Sequence, residues 1–137
     1  IEFHWYVNDD SKNEIASHNK ELNSIFHSIV EREEALKLMA RSFHCLVSIG
    51  NLNTTQIPSK VIEYISTGKP VIHFCEVEND PVKNIANEFQ NLFIISETSN
   101  KENLLNQLNS FYKDISTFNK ELFIEKYTSN SITEILD

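Results

Sequence analysis

The residues best placed to do chemistry lie between Gly50 and Pro70. Gly50-Asn51 leads through Leu52 to Ile57 into Pro58-Ser59-Lys60-Val61-Ile62-Glu63-Tyr64, and the stretch closes on Thr67-Gly68-Lys69-Pro70. Apolar runs flank it, Leu46 to Ile49 before and Val71-Ile72 after. A strand that ends in a polar loop and restarts as a helix at Ser59 aims unbonded helix N–H groups at the crevice beyond the strand, a setting that suits a diphosphate. Lys60 adds a point charge there. Glu63, one turn into the helix, can accept two hydrogen bonds from neighbouring sugar hydroxyls. Taken singly, Ser59 reads as a helix N-cap, Lys60 as a solvated cation and Glu63 as a surface acid. Their order along one turn-and-helix unit is what points to a ligand.

Other candidates read more plainly. His73 lies inside a strand and is expected to be a satisfied core or sheet-face histidine rather than a catalyst. His4, His18, His27 and His44 are scattered, and no spacing with Cys, Asp or Glu resembles a zinc site, so no metal is expected. Glu76, Glu78 and Asp80 read as a solvated loop leading to a helix N-cap. Cys45 and Cys75 sit in apolar runs, where free cysteine behaves as a small hydrophobe. If their strands are parallel neighbours they are offset by roughly 15 Å, at ~3.3 Å per residue, and no disulfide is expected.

The elements that must position these residues alternate. Strand-like runs occur at Glu2 to Val7, Ile25 to Phe26, Cys45 to Ile49, Val71 to Cys75 and Leu92 to Ser96. Several are nearly continuous apolar stretches, the pattern of strands buried on both faces of a parallel sheet, and Trp5 and Tyr6 are expected to fill the core. Helical patterns cover Glu31 to Ser42 and Ser59 to Thr67, the second stopped by Gly68-Lys69-Pro70. A third opens at Asp80-Pro81 with Ile85, Ala86 and Phe89 on its apolar stripe. Ser99 and Glu102 predict a capping box ahead of Leu104, Leu105, Leu108, Phe111, Tyr112 and Ile115, whose apolar face should pack on the sheet. The tail from Phe118 to Leu136 predicts one or two helices broken near Ser129. Strand alternating with helix makes this an α/β chain with a parallel sheet, in which ligands sit beyond the carboxyl ends of the strands.

With 137 residues, 40% hydrophobic and 23% charged, the chain is expected to form one packed domain. A formal charge of -8 argues against nucleic acid as a partner. No apolar run approaches the ~20 residues a spanning helix needs, and no signal-peptide pattern is present. A reducing, cytoplasmic setting is expected. The abrupt start at Ile1 reads as the edge of a fragment.

The Pro58 to Pro70 pattern resembles the C-terminal domain of glycosyltransferases built from two Rossmann-like halves, the GT-B fold, particularly bacterial polysaccharide-assembly enzymes. His27-Ser28-Ile29-Val30 is similar to the His-Gly-x-Val run of that family, and the resemblance extends over residues 1 to about 115. It implies a Rossmann-like parallel sheet flanked by helices, forming one half of a GT-B architecture, that binds a nucleotide diphosphate sugar for transfer to a polysaccharide or lipid-linked acceptor. By resemblance, Glu63 binds the donor ribose and Pro58, Ser59 and Lys60 hold the diphosphate. Gly50, Asn51, Thr55 and Gln56 face the donor sugar, and Ile29 and Val30 the base. No cofactor and no obligatory metal are implied; the catalytic base and acceptor site belong to an N-terminal acceptor half, which would also supply any association with the inner membrane surface. Alone, the segment is expected to bind donor weakly and to be inactive. Thr55 stands where many relatives carry a second glutamate, separated by seven residues from the ribose-binding one, and Ser28 replaces the glycine of the His-Gly-x-Val run. The resemblance also places a further strand between Glu2 to Val7 and Cys45 to Ile49, so that a second chain or segment fills the gap, possible self-association included, or the two runs pair directly. Rival readings are a nucleotide-sugar epimerase half and a receiver-like interaction module, for which Asn8-Asp9-Asp10 is the only hint.

Overall fold

The computed structural model describes residues 1–97 and 99–115. The helices expected over Phe118 to Leu136 lie outside the described residues. Two compact units form, Ile1–Lys37 and Leu38–Asp137.

In the first unit, β1 (Phe3–Tyr6) and β2 (Ser24–His27) pair in parallel from Phe3 opposite Ser24 to Tyr6 opposite His27. Between them runs α1 (Asp9–His18), a helix without the apolar stripe that would mark it in sequence. It is specified instead at its ends: Asn8 Oδ1 accepts the Ser11 N–H at 2.8 Å, and Asp9 and Asp10 occupy the first turn. A helix start therefore accounts for the Asn8-Asp9-Asp10 run. Trp5 and Tyr6 do not fill a core. Both are only half-buried, because two strands and one helix are too few layers to enclose a side chain. Trp5 Nε1 donates to Ser24 Oγ at 3.1 Å, and Tyr6 stacks on His27 with centroids 4.5 Å apart.

The chain passes through α2 (Arg32–Arg41) into a three-stranded parallel sheet in the order β3 (Leu46–Ile49), β4 (Val71–Phe74), β5 (Leu92–Ile95). Leu46, Val71 and Leu92 are in register across it. The crossovers are α3 (Ser59–Ser66) between β3 and β4, and α4 (Val82–Ile85) with a 3-10 turn over Ala86–Glu88 between β4 and β5; α5 (Lys101–Ile115) follows β5. Parallel strands alternating with helices make the chain α/β and compatible with a Rossmann-like fold. β1 pairs with β2, and β3 with β4, which gives a two-stranded sheet in the first unit and a three-stranded one in the second.

The core joins Leu46, Val71 and Leu92 to Val61 and Ile65 of α3 and to Val82, Ile85 and Phe89. It occupies one face of the sheet. The expectation of strands buried on both faces is thereby corrected: β3 alternates buried and exposed, and Val47, Ile49 and Phe74 remain 42%, 60% and 43% exposed. Side chains alternate across a strand. On the second face Phe111 of α5 rests on Phe93 at 5.2 Å, but Leu105 of the same helix stays 61% exposed.

Helix ends are fixed by particular residues. Gly68 stops α3 in the left-handed region at φ 71°, its N–H donating to the Ile65 carbonyl at 3.0 Å. The buried Asn91 side chain donates to the carbonyls of Ile65 and Lys69, both at 2.9 Å, and ties the end of α3 to the start of β5. The capping box predicted at Ser99 is replaced by an Asn100 cap, whose Oδ1 accepts the Glu102 N–H at 3.0 Å; Ser99 Oγ instead accepts the Ser96 N–H.

Candidate functional site

Two groups of side chains collect at the carboxyl edge of β3 and β4. The first is the predicted turn. Leu46 to Ile49 runs out into Gly50, and the loop to Ile57 is held by its own side chains: Asn51 Oδ1 accepts the Asn53 N–H at 2.8 Å, and Asn53 Oδ1 accepts the Thr55 N–H and hydroxyl, both at 2.9 Å. Asn51, Thr55 and Gln56 are exposed. Pro58 stands at the N-cap of α3 without a side-chain cap bond, and Ser59 is the first helical residue. The expected Ser59 cap is thus corrected: a residue already inside the helix cannot fold its hydroxyl back onto the N–H groups that follow. Lys60 Nζ donates to Glu63 Oε2 at 3.0 Å, with the Lys60 side chain 62% and Glu63 20% exposed. Tyr64 stands next along the helix, and burial pushes its hydroxyl up from the ordinary value.

The second group was not foreseen as a site. His73 is fully buried in β4, its Nδ1 3.2 Å from Ser48 Oγ and its Nε2 3.0 Å from Asp80 Oδ2. Asp80 Oδ1 accepts the N–H of Val82, the first residue of α4, at 2.9 Å, with Pro81 rather than Asp80 at the N-cap position. Nor is Asp80 solvated: Ser48 and Asp80 are 6% and 3% exposed, whereas Glu76 and Glu78 are exposed. Cys75 follows β4, half-buried, and burial pushes its thiol up, the Asp80 charge adding to the effect. Gly50 lies against this group. A Cβ there would collide with Asp80 Oδ2 and would stand 3.0 Å from the Glu76 nitrogen and 3.2 Å from the Phe74 carbonyl, so the close approach requires glycine.

Chemically, Ser48, His73 and Asp80 hold the residue types of a hydrolytic triad, but Ser48 is inside a strand where no acyl carbon can reach its oxygen. The expectation of a satisfied core histidine is met at His73. A signal for the group exists in the alternation. Ser48 and His73 stand two residues after Leu46 and Val71, on the buried face, where a polar side chain requires a partner.

Cys45, before β3, and Cys75, after β4, stand at opposite ends of paired strands and are both free thiols. Burial raises the Cys45 thiol and the Tyr112 hydroxyl that hydrogen-bonds it. In the first unit Ile29 is 66% exposed and lines a groove of ≈ 290 Å³ with Asn8, Lys12, Phe26 and His27; Val30 does not line it. His27 also stacks on His4, with His4 Nδ1 2.9 Å from His27 Nε2, a contact that the spacing of the histidines did not reveal. No helix among the described residues is long and apolar enough to cross a membrane. No protein family, curated protein or solved structure matches the chain.

Proposed function

We propose that this chain is the donor-binding half of a two-domain glycosyltransferase of the GT-B type, binding a nucleotide diphosphate sugar at the carboxyl edge of β3 and β4. The observation that carries the reading is the start of α3, where Pro58, Ser59 and Lys60 follow directly on the β3 loop and Glu63 stands one turn in, 3.0 Å from Lys60 Nζ. In the bound state Lys60 turns to the diphosphate beside the first N–H groups of the helix, and Glu63 is released to the ribose hydroxyls. Negative charge developing on the leaving diphosphate is stabilised by the same groups. Gly50, Asn51, Thr55 and Gln56 border the sugar, and an acceptor half supplies the catalytic base.

Titration with uridine, guanosine and adenosine diphosphates, followed by backbone amide shifts, tests the reading. The expected result is saturable binding by one of them, with shifts centred on Ser59 to Glu63. No shift at α3 with any diphosphate overturns it.

A further inference from the structure

We propose that His73, Cys75 and Asp80 are the three protein ligands of a site for a zinc-class divalent cation at the carboxyl edge of β4. Each offers one donor atom, an imidazole nitrogen, a sulfur and a carboxylate oxygen, and the three lie within 4.8 Å of one another. A tetrahedral zinc ion bound at about 2.0–2.1 Å to nitrogen and oxygen holds those two atoms about 3.3 Å apart. His73 Nε2 and Asp80 Oδ2 are already 3.0 Å apart, so the cation enters by opening that contact slightly. The Cys75 sulfur, at about 2.3 Å from zinc, closes the third position.

The remaining atoms of these side chains are held as ligands of a metal usually are. Asp80 Oδ1 is occupied by the Val82 N–H, which leaves Oδ2 as a single ligating oxygen. His73 Nδ1 faces Ser48 Oγ at 3.2 Å. A hydroxyl both donates and accepts, so Ser48 Oγ can accept a hydrogen bond from Nδ1–H and leave the Nε2 lone pair to the cation. The Cys75 thiol gives up its proton to solvent as the metal–sulfur bond forms, and no electron is transferred. A nitrogen, sulfur and oxygen set favours zinc over magnesium or calcium, which take oxygen ligands. Of the three ligands Cys75 alone is half-buried, so the fourth position, for water or a ligand atom, opens on its side.

Cobalt(II) is the probe, added to the reduced full chain in the absence of nucleotide. The expected result is one cobalt per chain, a sulfur-to-cobalt charge-transfer absorption, and displacement by zinc. Cys75→Ser should lose the absorption with its circular dichroism unchanged, and Cys45→Ser should keep it. Ser48→Ala, removing a group that orients the ligand, should weaken binding about 10- to 100-fold. The proposal is overturned if the folded wild-type chain takes up no cobalt, or if the charge-transfer absorption survives in Cys75→Ser. Because nucleotide is absent, the result is independent of donor binding.

Discussion

Ser48, His73 and Asp80 bond to one another at 6%, 0% and 3% exposure, whereas Asn51, Thr55, Ser59 and Lys60, on the loop and helix that continue from the same strand, are in water. The contrast is between groups fixed by desolvation and groups that remain exchangeable. A buried polar atom that loses its partner has no water to turn to, so the His73 group is held to one geometry. Asn51 and Thr55 are bonded to a residue two positions away, and each of these bonds can be traded for one to a ligand at little net change. The first arrangement suits an ion that demands fixed angles; the second suits a flexible diphosphate sugar.

The largest effect that would test this contrast is on stability. Asp80→Ala removes the partner of buried His73 and the acceptor of the Val82 N–H together, and is expected to destabilise the chain by about 3–5 kcal/mol in urea denaturation. A loss under about 1 kcal/mol would mean that the network is not held as described. The matching substitution in the helix that continues from the exposed loop, Glu63→Ala, should weaken nucleotide diphosphate binding by about 1.5–3 kcal/mol while changing stability by about 1 kcal/mol or less. Unchanged affinity would remove Glu63 from the ligand.

A third test uses alkali. Cys45, Cys75, Tyr64 and Tyr112 all have raised folded values, with burial as the leading cause. Each is neutral when protonated and holds its proton more tightly folded than unfolded. Their contribution is therefore full below the ordinary values of 9.0 for the thiols and 10.0 for the phenols, and is lost as pH rises through the higher folded values. Stability should fall steadily above about pH 9, and Cys45→Ala should flatten the first part of that decline. A flat profile between pH 8 and 11 would contradict it. The smallest effect belongs to Ser59→Ala, which makes no cap bond and should change stability by no more than about 0.5 kcal/mol, against about 1 kcal/mol for the true cap removed by Asn8→Ala. Equal losses in the two variants would restore Ser59 as a cap.

How far these features could be read from sequence follows the same division. Strand positions were legible because apolar runs bounded by Gly68 and Pro70 have few alternatives, and β4 falls where its run predicted. The start of α3 was legible because Pro58 to Glu63 acts within one helical turn. The one-faced core was not, because Val47, Ile49 and Phe74 are as apolar as the residues they alternate with, and only the placement of α3, α4 and α5 decides which face is covered. α1 was missed because its signal lies in the Asn8 cap rather than in a stripe. The His73 group was missed because it joins residues from β3, β4 and the turn into α4, and no single window contains them.

The parallel register of β3, β4 and β5 also sets a clock. The Gly50 amide is bonded to Phe74, Val71 to Asn91 and Cys75 to Ile95, and each bond exists only once a whole crossover has closed. The amides of Ser11, Asn53 and Thr55 are bonded to side chains two or three residues away. In deuterated solvent the second set should exchange through brief local openings, and the first only when the sheet as a unit comes apart. The exchange rates at Gly50 and Cys75 would then report the lifetime of the surface on which both candidate sites are built.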